Sequence, residues 1–506
     1  MAGDWLRPDE SLLEEDVNAP CGIEQFGPLP SSRMRIAMQS ESADLVGLAR
    51  SLSARADTFQ TALDALINEM VANFDRAKNP LDFEQFAEDA ARALRHVWLE
   101  ASASSASRFY RSPLLAETTE TATGRNIEFG YERDLQPTYL EDRCRTFFDQ
   151  PPSGWSVDHI VLSSGQSAMA AALHALEGGS LFGGQGKLSF AHLGSYFETA
   201  EIFSLFGSLL ESAGRGRQAV DEIDRLDADI FIIEPIFCDG EFGSVDAARL
   251  IEVHRKTAER RRVYLFDTTL VGTSFVLEAE LERMRALKPL AVFRLTSGMK
   301  LFQGGLELSS VGILSVFTLD ESAISAKQLG DRIRKIRTLL GLGLSFAEVA
   351  ALEAPWFLDR EYTTTYQRAI FENNARLAHA VSTGNRLFRG VCHPSRLPDS
   401  RGPRDAPFCV FRLHERDLQS YAALEDHLRS ESERRGILFE LGGSFGFRGH
   451  RFEVVRPEGG EEPFLRVALG RRSGWSCDHI IQLMMELSHA KSIASLPLPH
   501  PGRTFA

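Results

Sequence analysis

The sequence contains few cysteines and no excess of positive charge. Its six cysteines are scattered among 506 residues, without a CxxC pair or the spacing of a metal site. We therefore expect reduced thiols and neither a disulfide framework nor a zinc module. The formal net charge is −14, and a chain so acidic has no general attraction for nucleic acid or anionic lipid. Nucleic acid and membrane are therefore excluded as expected partners.

Long apolar runs are also missing. No run approaches the roughly 20 residues of a membrane-spanning helix, and the acidic first residues lack the basic and apolar segments of a secretory signal. Hydrophobic residues make up 43% and charged residues 25% of the chain, which is typical of a globular protein in solution. We expect a cytoplasmic protein with enough residues for two or three domains.

The hydrophobic pattern changes twice along the chain, which predicts three regions. Residues 1–120 have apolar positions at spacings of three and four, and we expect a helical N-terminal extension. Residues 121–335 alternate short apolar runs with helical stretches, which is typical of an α/β domain with a mostly parallel sheet. Residues 336–506 mix helices and strands and predict a smaller α+β C-terminal domain.

The first candidate site lies where a predicted strand passes into an Ala-rich helix. Ser164, Gly165 and Gln166 stand at this junction, followed by Ser167. Backbone N–H groups at a helix N-terminus, together with serine hydroxyls, can bind an anion. The alternative is an ordinary N-cap formed by Ser164 or Ser167.

Two further strand ends carry groups that can take part in chemistry. Asp267 ends the apolar run VYLF and is followed by Thr269; it is either a turn-forming cap or a partner for a cationic ring nitrogen. Ser297 precedes Lys300, which is the one lysine in a stretch of apolar and small residues. A lysine beside a cofactor shifts its pKa readily and can form an imine. Because ligands of open α/β sheets bind beyond the carboxyl ends of the strands, we expect these groups to meet.

The order and spacing of these segments resemble those of fold-type I enzymes that depend on pyridoxal 5′-phosphate (PLP). Lys300 follows Asp267 by thirty-three residues, as a Ser-x-x-Lys segment. Tyr131, Arg133 and the following Pro-Thr and Leu-Glu pairs resemble the Tyr-x-Arg-x-x-Asn-Pro-Thr segment of the Cys/Met-metabolism subfamily, with Gln136 in place of Asn. That subfamily includes cystathionine synthases, cystathionine lyases and methionine γ-lyase.

The resemblance implies a large domain with a mostly parallel, seven-stranded type of sheet and PLP bound as a Schiff base to Lys300. Asp267 would hold the ring nitrogen cationic. Further cofactor contacts would come from Ser164, Gly165, Gln166, Thr269 and Ser297. Tyr131 and Arg133 would reach the phosphate of a neighbouring subunit, so we expect a homodimer or homotetramer with shared active sites.

The resemblance also implies roles for residues on other segments. Tyr196 matches a tyrosine that stacks on the cofactor ring and takes part in acid–base steps, although two glycines that usually follow are absent. His192 is the rival for stacking, and a core tyrosine is the alternative interpretation. Ser444 and Arg466 match the region that binds the substrate carboxylate. The rival arginines at positions 471 and 472 are expected to lie in solvent.

The implied function is PLP-dependent β- or γ-elimination or replacement on an amino acid, as in C–S lyases and synthases. The leaving group could be a thiol, an acyloxy group or a sulfonium such as that of S-adenosylmethionine. Met299, Gly305 and Glu307 depart from the subfamily pattern and favour an unusual substrate in a specialised biosynthetic pathway. An aminotransferase that passes an amino group to a keto acid is the alternative. A non-catalytic binding protein is disfavoured because Lys300 and Asp267 are both retained.

Overall fold

The N-terminal region is built from three long helices. The computed structural model describes residues 31–496 except 57–58, 115–117, 178–186, 208–209, 258–259, 382–384, 398–401 and 457–461. The helices are α1 (Ser31–Ser53), α2 (Gln60–Arg76) and α3 (Pro80–Ala106). The Asn79 side chain accepts a hydrogen bond from the amide of Asp82 at 2.9 Å and so caps α3. A helical extension is confirmed for these helices, while residues 1–30 lie outside the described residues.

The three helices share their core with segments much later in the chain. Leu94 and Trp98 of α3 are fully buried in one apolar cluster with Leu306 and Trp356. The Trp98 indole also donates a hydrogen bond to the carbonyl of Ala351 at 2.8 Å. The amphipathic stripes predicted from the sequence therefore pack against the rest of the same chain.

The middle of the chain forms a seven-stranded sheet. Its strands are β1 (Trp155–Leu162), β2 (Leu188–Leu193), β3 (Leu210–Arg215), β4 (Ile230–Ile233), β5 (Val263–Asp267), β6 (Ala291–Ser297) and β7 (Gly312–Leu319). The helices around it are α4 (Thr138–Phe147), α5 (Gly165–Glu177), α6 (Phe197–Leu205), α7 (Gly216–Asp221), α8 (Ala247–Arg255), α9 (Leu277–Met284) and α10 (Gly298–Leu301). The strand order is β1-β7-β6-β5-β4-β2-β3.

This sheet is mostly parallel and buried on both faces, as the sequence predicts. β3, β2, β4, β5 and β6 pair in parallel, whereas β7 is antiparallel to β6 and β1. Ile230 and Ile232 of β4 belong to one apolar cluster, and Phe231 and Ile233 belong to another. Because successive strand side chains point to opposite faces, the two clusters mark the two covered faces of the sheet.

The C-terminal part carries a smaller five-stranded sheet and long helices. Its strands are β8 (Phe388–Cys392), β9 (Cys409–Leu413), β10 (Phe439–Leu441), β11 (His450–Val455) and β12 (Phe464–Ala468), in the order β10-β11-β12-β9-β8. Its helices are α11 (Ala326–Leu340), α12 (Phe346–Ala351), α13 (Arg360–Ala380), α14 (Leu418–Arg435) and α15 (Trp475–Ser488). This mixture confirms the predicted α+β character, and the domain boundaries at 120 and 335 stay predictions. None of the described helices is long and apolar enough to cross a bilayer.

Candidate active site

A cavity of about 720 Å³ lies between the carboxyl ends of the strands of the large sheet and strands β11 and β12 of the small sheet. Most of the residues singled out from the sequence line it. They are Gly165, Gln166, Tyr196, Asp267, Thr269, Ser297, Lys300, Ser444 and Arg466. The volume lies within the range of about 300–1,000 Å³ that is usual for small-molecule sites.

Lys300 reaches this cavity from α10, directly after β6. Its ammonium donates a hydrogen bond to the Ser444 hydroxyl at 2.5 Å and lies 5.7 Å from the centre of the Phe445 ring. Burial and the charge of Arg466 lower the pKa of Lys300 from its ordinary value of 10.5. A lowered pKa favours the neutral amine, which is the nucleophilic form.

The partners of Lys300 sit on a constrained backbone. Ser444 has a φ of 73°, in the left-handed region that non-glycine residues seldom adopt. A Cβ on Gly446 would lie 1.8 Å from the Lys300 carbonyl oxygen, so only glycine allows this close approach. The Tyr366 hydroxyl holds the same loop through a hydrogen bond to the Gly446 carbonyl at 2.9 Å. Such strain persists only where the surrounding structure enforces it, and it is concentrated at functional sites.

Asp267 lies at the end of β5, next to the strand that leads to Lys300. Its carboxylate accepts a hydrogen bond from the Thr269 amide at 2.9 Å, and the Thr269 hydroxyl accepts one from the Ser297 amide at 3.0 Å. Burial, together with the charge of Glu234, raises the pKa of Asp267 to about 6. Among the described residues no lysine or arginine pairs with Asp267. A desolvated carboxylate of this kind favours a cationic partner.

The predicted anion loop forms the start of α5. The Ser164 hydroxyl accepts a hydrogen bond from the Ser167 amide at 3.0 Å, so Ser164 caps the helix as the alternative interpretation predicts. Ser164 does not line the cavity, whereas Gly165 and Gln166 do. A Cβ on Gly165 would lie 3.4 Å from the Ser297 Cβ, which shows how closely the two loops approach.

Tyr196 is the N-cap residue of α6 and lines the cavity. Its hydroxyl donates a hydrogen bond to Glu198, and its amide donates one to Glu234 at 2.9 Å. Burial and the neighbouring Glu198 raise the pKa of Tyr196 above its ordinary value of 10.0. His192 is buried, pairs with Glu234 at 2.8 Å and does not line the cavity, so its rival stacking role has no support.

Arg466 faces the cavity from β12. It forms an ion pair with Glu453 of β11, and its guanidinium carbon lies 5.2 Å from the centre of the Phe408 ring. Glu453 occupies the Nη2 end of this guanidinium, whereas the Nε of Arg466 has no hydrogen-bond partner among the described residues. Glu198 and Glu453 were both missed as site residues in the sequence, the first because it stands where two glycines were expected and the second because β11 was not predicted.

The expectation that Arg471 and Arg472 lie in solvent is wrong. Arg472 is 2% exposed, and its guanidinium pairs with Glu88 of α3 at 3.1 Å. Arg471 is only partly exposed and pairs with Glu41 of α1. Both cations are held by the N-terminal helices and do not line the cavity. They are therefore excluded as ligands for a substrate carboxylate.

Tyr131 and Arg133 lie on the surface, outside the cavity. Both side chains are exposed, and the Arg133 guanidinium carbon lies 5.3 Å from the centre of the Tyr131 ring. The segment is anchored through Glu132, whose carboxylate accepts a hydrogen bond from the Phe346 amide at 3.1 Å. A contact of these two side chains with a neighbouring subunit stays a prediction.

The chain resembles known proteins in its structure, although no matching sequence was found. No protein-family model and no curated protein sequence matched the chain. The crystal structure of cystathionine gamma-lyase from yeast superimposes with a TM-score of 0.53 at 14% identity, over 75% of this chain and 92% of that chain. The structure of metB from Corynebacterium glutamicum gives a TM-score of 0.52 at 16% identity, over 77% of this chain and 97% of that chain. The chain therefore has the fold of these two structures, and the predicted fold class is confirmed.

Proposed function

We propose that this chain is a PLP-dependent enzyme that cleaves or replaces a group on the β- or γ-carbon of an amino acid, as C–S lyases and synthases do. The observation that carries the proposal is the placement of Lys300 and Asp267. They face one cavity from the ends of adjacent strands, and the Thr269–Ser297 hydrogen bond links their loops.

The residues of the cavity fit this cofactor. Asp267 is a desolvated carboxylate without a cationic side-chain partner among the described residues, which suits a protonated ring nitrogen. Lys300 is an amine with a lowered pKa, which suits a covalent link to an aldehyde. The amides at the start of α5, around Gly165 and Gln166, suit a phosphate. Among the described residues no cluster of His, Cys, Asp or Glu could hold a metal ion.

When bound, PLP supplies the electron withdrawal that makes the α-proton of an amino acid acidic. Lys300, once its amine is free, accepts that proton at Nζ, and the Ser444 hydroxyl orients the amine. Tyr196 donates a proton to a leaving group, because burial and Glu198 keep its phenol protonated. Arg466 binds the α-carboxylate through guanidinium N–H groups that Glu453 leaves free.

A direct test is chemical trapping of the link to Lys300. Wild-type protein incubated with PLP should develop visible absorbance, and borohydride reduction followed by peptide mapping should place the cofactor on Lys300. Lys300→Ala should lose both signals, while Lys288→Ala, at an exposed lysine, should keep them. A wild-type protein that neither absorbs nor is labelled would refute the cofactor assignment.

The same preparation separates the proposed reaction from transamination. Arg466 and Ser444 in one cavity suit an aminotransferase equally well. Release of ammonia, a thiol or a thioether without an added keto acid supports elimination. Turnover that depends strictly on a second keto acid instead supports the aminotransferase.

We also propose that the active site is completed by a second subunit through Tyr131 and Arg133. Their exposure supports this, because both side chains lie outside the cavity of their own chain and are free to meet another copy. Arg133→Ala and Lys300→Ala should each be inactive alone. Mixed oligomers of the two variants should regain activity, since one site then holds both native residues; no recovery contradicts the shared site.

A further inference from the structure

Glu198 is a carboxylate in the cavity that no cation among the described residues neutralises. It lies in the first turn of α6 and is only partly exposed. Its carboxylate accepts hydrogen bonds from the Tyr196 hydroxyl and from the Gln166 side-chain amide, both of which are neutral donors. Over the part of the chain that the structure describes, no lysine or arginine forms an ion pair with Glu198.

The other acids of the cavity are already matched. The oxygens of Glu234 are hydrogen-bonded to His192 and to the backbone amides of Ser195 and Tyr196, and Glu453 pairs with Arg466. Asp267 is matched by the ring nitrogen in the proposed function. Arg456 also borders the cavity but is exposed to solvent. Glu198 is therefore the acid whose charge remains available to a ligand.

The position of Glu198 suits a contact with the side chain of a bound amino acid. It is close enough to Lys300 for its charge to raise the pKa of that lysine, yet it contacts Tyr196, the proposed acid for the leaving group. A substrate held near Lys300 by its α-amine can extend its side chain along the Tyr196 wall of the same cavity to Glu198. A partly buried carboxylate attracts an opposite charge more strongly than one in open solvent, because the surrounding protein lowers the effective dielectric constant.

We propose that Glu198 is a specificity-determining residue that selects an amino acid whose side chain carries a positive charge. This inference rests on the proposed function and names the substrate class of the same site. An ammonium group and a sulfonium group both carry such a positive charge. A neutral side chain leaves the Glu198 charge without a partner, and an anionic side chain is repelled.

The test measures binding of matched amino acids to the PLP-loaded full-length protein by the change in its visible absorbance. L-lysine is compared with L-norleucine, and S-methyl-L-methionine with L-methionine, with L-glutamate as the anionic probe. We expect at least one cationic probe to bind about tenfold more tightly than its neutral partner, or about 1.4 kcal/mol. The pair that shows the preference identifies an ammonium or a sulfonium substrate.

Glu198→Gln should abolish this preference, because the amide keeps the shape but not the charge. Glu201→Gln, at an exposed position of the same helix, is the matched control and should retain it. In wild-type protein the preference should also shrink as salt is raised, since salt screens the attraction. This second measurement does not depend on the folding of a variant.

Equal binding of the cationic and neutral probes, or no binding of any probe to protein that carries PLP on Lys300, overturns the inference and leaves the cofactor assignment intact. A preference that persists in Glu198→Gln overturns it as well. Absence of the PLP signal itself is a failure of the proposed function and is recognised before any probe is added.

Discussion

Replacing Glu41 by Gln should strongly destabilise the protein, although Glu41 does not line the cavity. Glu41 is 2% exposed, accepts a hydrogen bond from Arg448 Nε at 3.0 Å, and also pairs with Arg471. Arg448 in turn donates to the carbonyl of Gly304 at 3.0 Å, in the segment after Lys300. The substitution therefore removes a negative charge that neutralises the buried guanidinium group of Arg448 and that of Arg471. It also loosens α1 from the segment after Lys300.

The expected loss is about 3–5 kcal/mol, the usual effect of removing one partner from a buried ion pair. The pKa of Glu41 leads to a similar value. Burial alone raises it, but the charges of Arg448, Arg471 and Arg472 lower it from 4.5 to about 2. A lowering of this size corresponds to about 3 kcal/mol of folding free energy.

The pKa of Glu41 also sets how the effect of this substitution on stability depends on pH. Because the folded protein holds Glu41 ionised more firmly than the unfolded chain does, this stabilisation is complete above pH 4.5 and is lost as the pH falls from there toward 2. The difference between wild type and Glu41→Gln should therefore be largest near neutral pH. It should shrink in acid.

Urea unfolding of the full chain, monitored by fluorescence and circular dichroism, measures this difference. Glu69→Gln is the matched control, since Glu69 is exposed on α2. The reasoning is refuted if Glu41→Gln costs less than about 1 kcal/mol at pH 7, or if its cost does not decrease in acid. A loss of PLP affinity alongside the loss of stability would show that α1 supports the segment of Lys300.

Three further substitutions test the cavity. Burial raises the pKa of Asp267 from 3.8 to about 6, so the folded cofactor-free protein loses stability as the pH rises through this window. Asp267→Asn should therefore stabilise it at pH 7 by up to about 3 kcal/mol and weaken PLP binding. Destabilisation by this substitution would contradict the reasoning. Ser444→Gly should raise the free energy of unfolding by about 1 kcal/mol by relieving the left-handed backbone, but should also remove the hydrogen bond to Lys300 and so slow the linkage of Lys300 to PLP. Lys288→Gly, at φ 45°, should also raise the free energy of unfolding but should leave the linkage of Lys300 to PLP unchanged. Gly446→Ala should cost more than about 2 kcal/mol, because its Cβ would overlap the Lys300 carbonyl; a neutral result in thermal unfolding would contradict this.

The sequence predicted the large sheet and the residues at its strand ends. Buried strands such as β5 and β6 are continuous apolar runs, so their ends, and with them Asp267 and Lys300, are visible without a structure. β3, β8 and β11 were not predicted, because they carry glycine or charged residues on partly exposed faces. The missing β11 concealed Glu453, the partner of Arg466.

The sequence by itself therefore determined the fold class and the candidate groups at the strand ends, because both depend on local patterns, namely the apolar runs and the polar residues at their ends. Only the tertiary structure decided which charges meet. Arg472 is paired with Glu88, almost four hundred residues away, and Glu198 is left without a cationic partner among the described residues of the cavity. Pairing between distant segments depends on how whole helices and sheets pack, and no spacing along the chain records it.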